Sequence, residues 1–113
     1  SRTGNNFDEM YREAGREGFF SYDMVTNGEK DLKLHVRYWG AEWGSRKFEI
    51  YIDDEKLVTE DNTNKWNQSQ FQNVEYSIPN AMVEGKEHIR VKFKALPYST
   101  AGGVYYVRLV RNK

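Results

Sequence analysis

Apolar and polar residues alternate most regularly along Leu32-Lys33-Leu34-His35-Val36-Arg37-Tyr38-Trp39, which Gly40 closes. Leu32, Leu34, Val36 and Tyr38 take every second position, and Lys33, His35 and Arg37 fill the gaps. A period of two predicts a strand with one face in a core and the other in water. The same period recurs in both directions. Phe20, Tyr22 and Met24 form an inward row within Phe19–Val25, and Asn27-Gly28 then supplies a turn that accepts positive φ. Phe48, Ile50 and Ile52 form the next row. Asp53-Asp54-Glu55 turns the chain into a short strand from Lys56 to Glu60, which predicts a hairpin. Val74, Tyr76 and Ile78 mark a further strand, ended by Pro79, which cannot donate to a ladder. Ile89, Val91 and Phe93 alternate with Arg90, Lys92 and Lys94. Residues 104–111 close the chain as a last strand, and residues 80–84 allow one helical turn before Gly85.

Residues 1–17 read differently. They are polar and mixed, and Phe7, Tyr11 and Ala14 fit one short helical face bracketed by Gly4, Gly15 and Gly18. The expectation is an irregular N-terminal segment with at most a single helical turn. Seven short strands with turn signals between them, and no long helix, predict an all-β fold in one domain. The expected architecture is an antiparallel, jelly-roll-like β-sandwich.

Strand alternation also sorts the loops. With the Leu32–Trp39 strand running upward and each later strand reversing, residues 40–46, 61–72 and 95–103 form the upper end. Residues 26–31, 53–55 and 79–86 form the lower end. The upper loops hold Trp43, Arg46, Trp66, Gln68 and Tyr98, with Trp39 at the strand edge, whereas the lower loops hold no aromatic residue. Rings in polar loops at one end of a rigid sandwich suit ligand binding. A flat ring stacks on the C–H face of a sugar while Arg, Asn and Gln bond its hydroxyls. The competing reading is that the rings plug the open end of the sandwich against water.

Composition narrows the chemistry. The chain has 113 residues, enough for one core, and equal numbers of acidic and basic residues give a formal net charge of zero. Aromatic residues make up 15%, with eight Tyr and three Trp, so much of the apolar mass lies in rings suited to half-buried positions. The absence of Cys excludes disulfides, thiolate zinc sites and cysteine nucleophiles. No run reaches the roughly 18 apolar residues of a membrane helix, so no membrane partner is expected. A chain that begins at Ser1 reads as a processed protein or an excised domain.

The candidates for catalysis are thin. His35 and His88 lie on outward faces among Lys and Arg, without a paired nucleophile, and no two carboxylates stand out as a glycosidase pair. The acidic stretches Asp53–Glu55 and Glu60–Asn62 could hold a structural Ca²⁺ but lack the spaced pattern of an EF-hand loop. Ordinary surface acids are the default, and no cofactor is expected. Lys33, His35, Arg37, His88, Arg90, Lys92 and Lys94 line outward faces as in an oligonucleotide-binding barrel. Glu49, Asp53 and Glu75 offset them, and the neutral total argues against phosphate binding.

Five stretches together resemble a known family. They are Tyr11-Arg12-Glu13-Ala14, Gly18-Phe19-Phe20-Ser21-Tyr22-Asp23, Tyr38-Trp39-Gly40, the strand from Arg46 to Asp53, and Thr100-Ala101-Gly102-Gly103-Val104-Tyr105-Tyr106-Val107-Arg108-Leu109. The set resembles a C-terminal β-sandwich domain appended to bacterial glycoside hydrolases of the beta-L-arabinofuranosidase type. The resemblance implies a non-catalytic accessory domain of an extracytoplasmic, glycan-degrading enzyme, with a fold like many carbohydrate-binding modules. Its implied partners are the parent catalytic domain and, through the aromatic rim, carbohydrate. In that family the zinc site and the cysteine nucleophile belong to a separate domain, and this chain, lacking Cys, carries neither. A purely structural module docked on the catalytic domain is the alternative.

Overall fold

In a computed structural model of the chain, residues 2–6, 9–15, 18–42 and 44–111 are described. Nine strands form among them: β1 (Arg2–Asn6), β2 (Glu9–Gly15), β3 (Phe19–Val25), β4 (Leu32–Trp39), β5 (Lys47–Ile52), β6 (Glu55–Asp61), β7 (Phe71–Ser77), β8 (His88–Ala95) and β9 (Thr100–Arg111). A 3₁₀ turn spans Asn80–Met82. The strands make two sheets, one of five in the order β1-β2-β9-β4-β7 and one of four in the order β3-β8-β5-β6. Every pairing is antiparallel. The fold is an antiparallel, jelly-roll-like β-sandwich.

The core follows the alternation. Leu32, Leu34, Val36 and Tyr38 of β4 are buried and face Phe48, Ile50 and Ile52 of β5 and Ile89, Val91 and Phe93 of β8. Phe20 stacks on Phe93, with ring centroids 5.1 Å apart. Asp53 and Asp54, both at positive φ (46° and 68°), make the two-residue turn of the β5–β6 hairpin, the geometry that matches strand twist.

The structure corrects three boundaries. The N-terminal segment is strand rather than irregular: β2 pairs β9, with Ala14 opposite Ala101 and Gly15 opposite Thr100, and β1 pairs β2. A ladder is held by backbone hydrogen bonds, so a strand added beside the long β9 needs no hydrophobic alternation of its own. Phe7, part of the expected helical face, lies outside the described residues. The loop expected up to Gly103 ends earlier, because β9 begins at Thr100 and takes the two buried glycines into its ladder. Similarly, β7 starts at Phe71, within the expected 61–72 loop.

Sheet membership determines what the loops do. Strands β4 and β5 lie in different sheets, as do β6 and β7, and β8 and β9. All three upper connections therefore cross the open end of the sandwich, and each must either seal it or present a surface there.

Candidate functional site

The upper loops are joined by their own backbones. The Gly40 amide donates to Gln70 O at 2.8 Å, and the Gln68 amide donates to Gly40 O at 3.2 Å. The Thr100 amide donates to Ser45 O at 3.0 Å, and the Ser45 and Ser99 hydroxyls bond at 2.6 Å. The amide of Arg46 donates to the Thr63 hydroxyl at 2.8 Å. Gly40 makes the first of these junctions possible. A Cβ there would lie 2.6 Å from Gln68 O and 2.8 Å from Gln70 O, both rigid backbone atoms. Only glycine lets the β6–β7 loop come this close to the end of β4.

The residues expected at the rim separate into four groups among the described residues. Arg46 is a strut: it is 9% exposed and pairs with Glu42 at 2.8 Å and Glu13 at 3.2 Å, while donating to Gly102 O at 3.1 Å. It ties the β4–β5 loop to β2 and β9. Burial pushes the Glu42 carboxyl above its ordinary range; attraction to Arg46 works against this and repulsion from Glu13 adds to it. Trp66 is a half-buried plug, packed on the core and tilted over Tyr38 at 6.1 Å, with the Lys65 ammonium 5.1 Å from its ring. Gln68 and Tyr98 are exposed, Tyr98 at 98%. Gln68 also accepts a hydrogen bond from the Gln70 side chain at 2.8 Å. Trp43 lies outside the described residues.

Beneath Trp66 runs a hydrogen-bond chain from the core to the loop. The Tyr38 and Tyr76 hydroxyls meet at 2.8 Å, Tyr76 donates to Glu60 Oε2 at 2.6 Å, and Lys65 donates to Glu60 Oε1 at 3.0 Å. Burial drives both tyrosines far above their ordinary range, so both keep their protons. Burial alone would also raise Glu60, but the donors Tyr76, Lys65 and the Asp61 amide outweigh it and hold the carboxyl below its ordinary range.

Trp39 belongs to a different surface. Tyr38 points inward, so Trp39 takes the outer face of the five-stranded sheet, where its ring meets Phe71 edge-on at 5.1 Å. Phe71 meets Tyr105 at 4.9 Å, and the Arg37 guanidinium lies 4.2 Å from the Phe71 ring centre. All four side chains are half-buried. A register shift opposite Arg37/Tyr38 lets β9 present Tyr105 here as well as Tyr106, which faces Arg37 across the ladder. Phe71 and Tyr105 were missed by the loop-centred reading of the sequence. The usable signal was the outward parity of β4 combined with the Tyr105-Tyr106 pair, which one bulge can turn to the same side.

An aromatic cluster outside the core, bordered by a guanidinium and side-chain amides, can stack on a flat ligand face and bond its polar edge. The histidines are placed otherwise. His35 bonds Glu75 at 3.2 Å, and His88 is exposed on β8. No group of three or more His, Cys, Asp or Glu is placed to hold a metal among the described residues. The Asp53 carboxylate already bonds Lys86 Nζ and the Arg90 amide, each at 2.8 Å, and Asp61 accepts from the Thr63 amide at 2.9 Å.

Comparison with known proteins agrees on the architecture. A family 35 carbohydrate-binding module from Clostridium thermocellum superposes with a TM-score of 0.65 at 12% identity, over 99% of this chain and 85% of its own. One from an environmental isolate gives 0.61 at 15% identity, over 85% and 67%. The family 35 module of Cellvibrio japonicus Abf62 gives 0.60 at 11% identity, over 87% and 69%. No curated protein matches the chain. At these identities the likeness establishes the fold alone. At the level of sequence, a family model matches residues 1–110, and the chain belongs to that family, described as a family of unknown function (DUF6805).

Proposed function

We propose that this chain is a non-catalytic accessory module of an extracytoplasmic glycan-degrading enzyme, and that it binds carbohydrate at the upper corner of its five-stranded sheet. The observation that carries this reading is the Trp39–Phe71–Tyr105 cluster. Three rings gather on the side of the sheet that faces away from the core, where packing does not require them. Gln68 and Tyr98 stand exposed on the loops that share this end. The carbohydrate-binding modules of the same fold support the reading, as does the resemblance to accessory domains of arabinofuranosidase-type hydrolases. Trp66 and Arg46 have a supporting role here: they seal the sandwich and anchor the loops.

Titration of plant cell-wall oligosaccharides against intrinsic tryptophan fluorescence tests the proposal. A sugar-dependent change that disappears in Trp39→Phe but survives in Trp66→Phe is expected. A response carried by Trp66 alone would move the site to the loops. No response to any glycan would remove the binding function.

A second reading, a brace for the parent catalytic domain, is favoured by Phe19 and Val25. They are 56% and 57% exposed on β3, at the edge of the four-stranded sheet. Adding the catalytic domain in trans should then slow hydrogen exchange along β3, and unchanged exchange would contradict docking there.

A further inference from the structure

The ring cluster at the upper corner is one end of a longer strip on the same face. Down β4 the outward residues are Trp39, Arg37, His35 and Lys33, flanked on β7 by Phe71, Asn73 and Glu75 and on β9 by Tyr105, Tyr106 and Arg108. Tyr106 is 37% exposed and meets the His35 ring at 5.6 Å, with the Arg108 guanidinium 5.8 Å from its own ring centre. Beside them the Glu75 carboxylate, 44% exposed, is shared by His35 at 3.2 Å and Lys33 at 3.8 Å. Trp39 and His35 are four residues apart on one strand face, a separation of about 13 Å. A single sugar ring cannot span that distance.

We propose that this face is a track for an extended glycan chain lying along β4, with Tyr106 and His35 forming a second contact several sugar units from the Trp39–Phe71–Tyr105 corner. The proposal rests on the carbohydrate reading above and adds the ligand's form: an internal stretch of polysaccharide, held at two points, rather than a chain end. The polar groups of the strip fit hydroxyls. Glu75 accepts a hydrogen bond that a sugar hydroxyl can donate and a phosphodiester cannot, and Asn73 and Arg108 donate. A single-stranded nucleic acid, which also stacks on aromatic residues, would find Lys33, Arg37 and Arg108 for its phosphates but would have to pass Glu75, and the neutral chain supplies no overall attraction.

The test uses the whole chain with xylo- and arabino-oligosaccharides graded from disaccharide to hexasaccharide, and a short single-stranded DNA beside them. Affinity for at least one series should rise from disaccharide to hexasaccharide by about threefold to tenfold, the worth of one ring contact. Tyr106→Ala should flatten that rise. Tyr106→Leu, which keeps an apolar side chain without a π face, should flatten it too and thereby separate stacking from folding. Equal affinity for short and long oligosaccharides, or a length dependence that survives both variants, would overturn the track while leaving the corner site standing. Failure of every glycan to bind would overturn the functional reading itself. Binding of the DNA in their place would overturn both.

Discussion

Arg46 and Glu60 show how much of the upper end depends on single charged side chains. Arg46 is almost fully enclosed between Glu13 and Glu42. Removing it strands two carboxylates in a poorly hydrated site, so Arg46→Ala should destabilise the fold by about 3–5 kcal/mol. Urea unfolding measures this, and a loss within experimental error would mean that water already reaches the pair. Glu60 makes a pH prediction. Its folded pKa is held below the unfolded value, so its stabilising contribution is complete above the ordinary carboxylate range and is lost as pH falls through the lowered folded value. The stability difference between the wild type and Glu60→Gln should therefore shrink as the pH drops toward that value. A difference that grows on acidification would reverse the assignment. Glu42, raised by burial, has the opposite sign: its charged form is the disfavoured one, and protonation relieves it.

Among the elements, β4 was the most legible, because it is an interior strand with a buried row and an outward row, and its bounds match the period-two pattern to the residue. The core rows of β5 and β8 were equally plain for the same reason. The N-terminal strands were not, since β2 exists by pairing with β9, a long-range contact that leaves no period in its sequence, and β1 by pairing with β2. The start of β9 was hidden by Gly102 and Gly103, which signal a turn locally but are buried in the strand, with Gly102 O accepting from Arg46. Of the proposed binding surface, the sequence named the upper end of the sandwich and Trp39. It did not show the partners of Trp39 on the sheet face, because Phe71 arrives by the β4–β7 pairing and Tyr105 by a register shift in β9. Gly40 ties the two together. Gly40→Ala forces a Cβ against two carbonyl oxygens and should cost about 1–3 kcal/mol. It should also loosen residues 62–70, seen as faster hydrogen exchange there than at the lower end. Uniform exchange across both ends would contradict a local role.

For the whole molecule, the two ends and two faces divide the work. The lower end holds paired charges, such as Asp53 with Lys86 and Glu29 with Arg111. In the acidic stretches considered for a structural Ca²⁺, the carboxylates of Asp53, Asp54, Glu60 and Asp61 are bonded within the chain, and we propose that the module works without a bound metal. Added Ca²⁺ or chelator should leave the thermal midpoint unchanged, and a calcium-dependent rise would require a site beyond these pairs. The outer face of the five-stranded sheet is where charge, aromatic rings and exposure coincide, and the carbohydrate-binding proposal depends on it. The most direct measurement is affinity electrophoresis or calorimetry on plant polysaccharides, comparing the wild type with Phe71→Ala and with Phe19→Ala on the opposite sheet. The account predicts a retarded or heat-releasing wild type, a loss of about threefold to tenfold in affinity for Phe71→Ala, and no change for Phe19→Ala. Full binding by Phe71→Ala, or loss in Phe19→Ala alone, would contradict it.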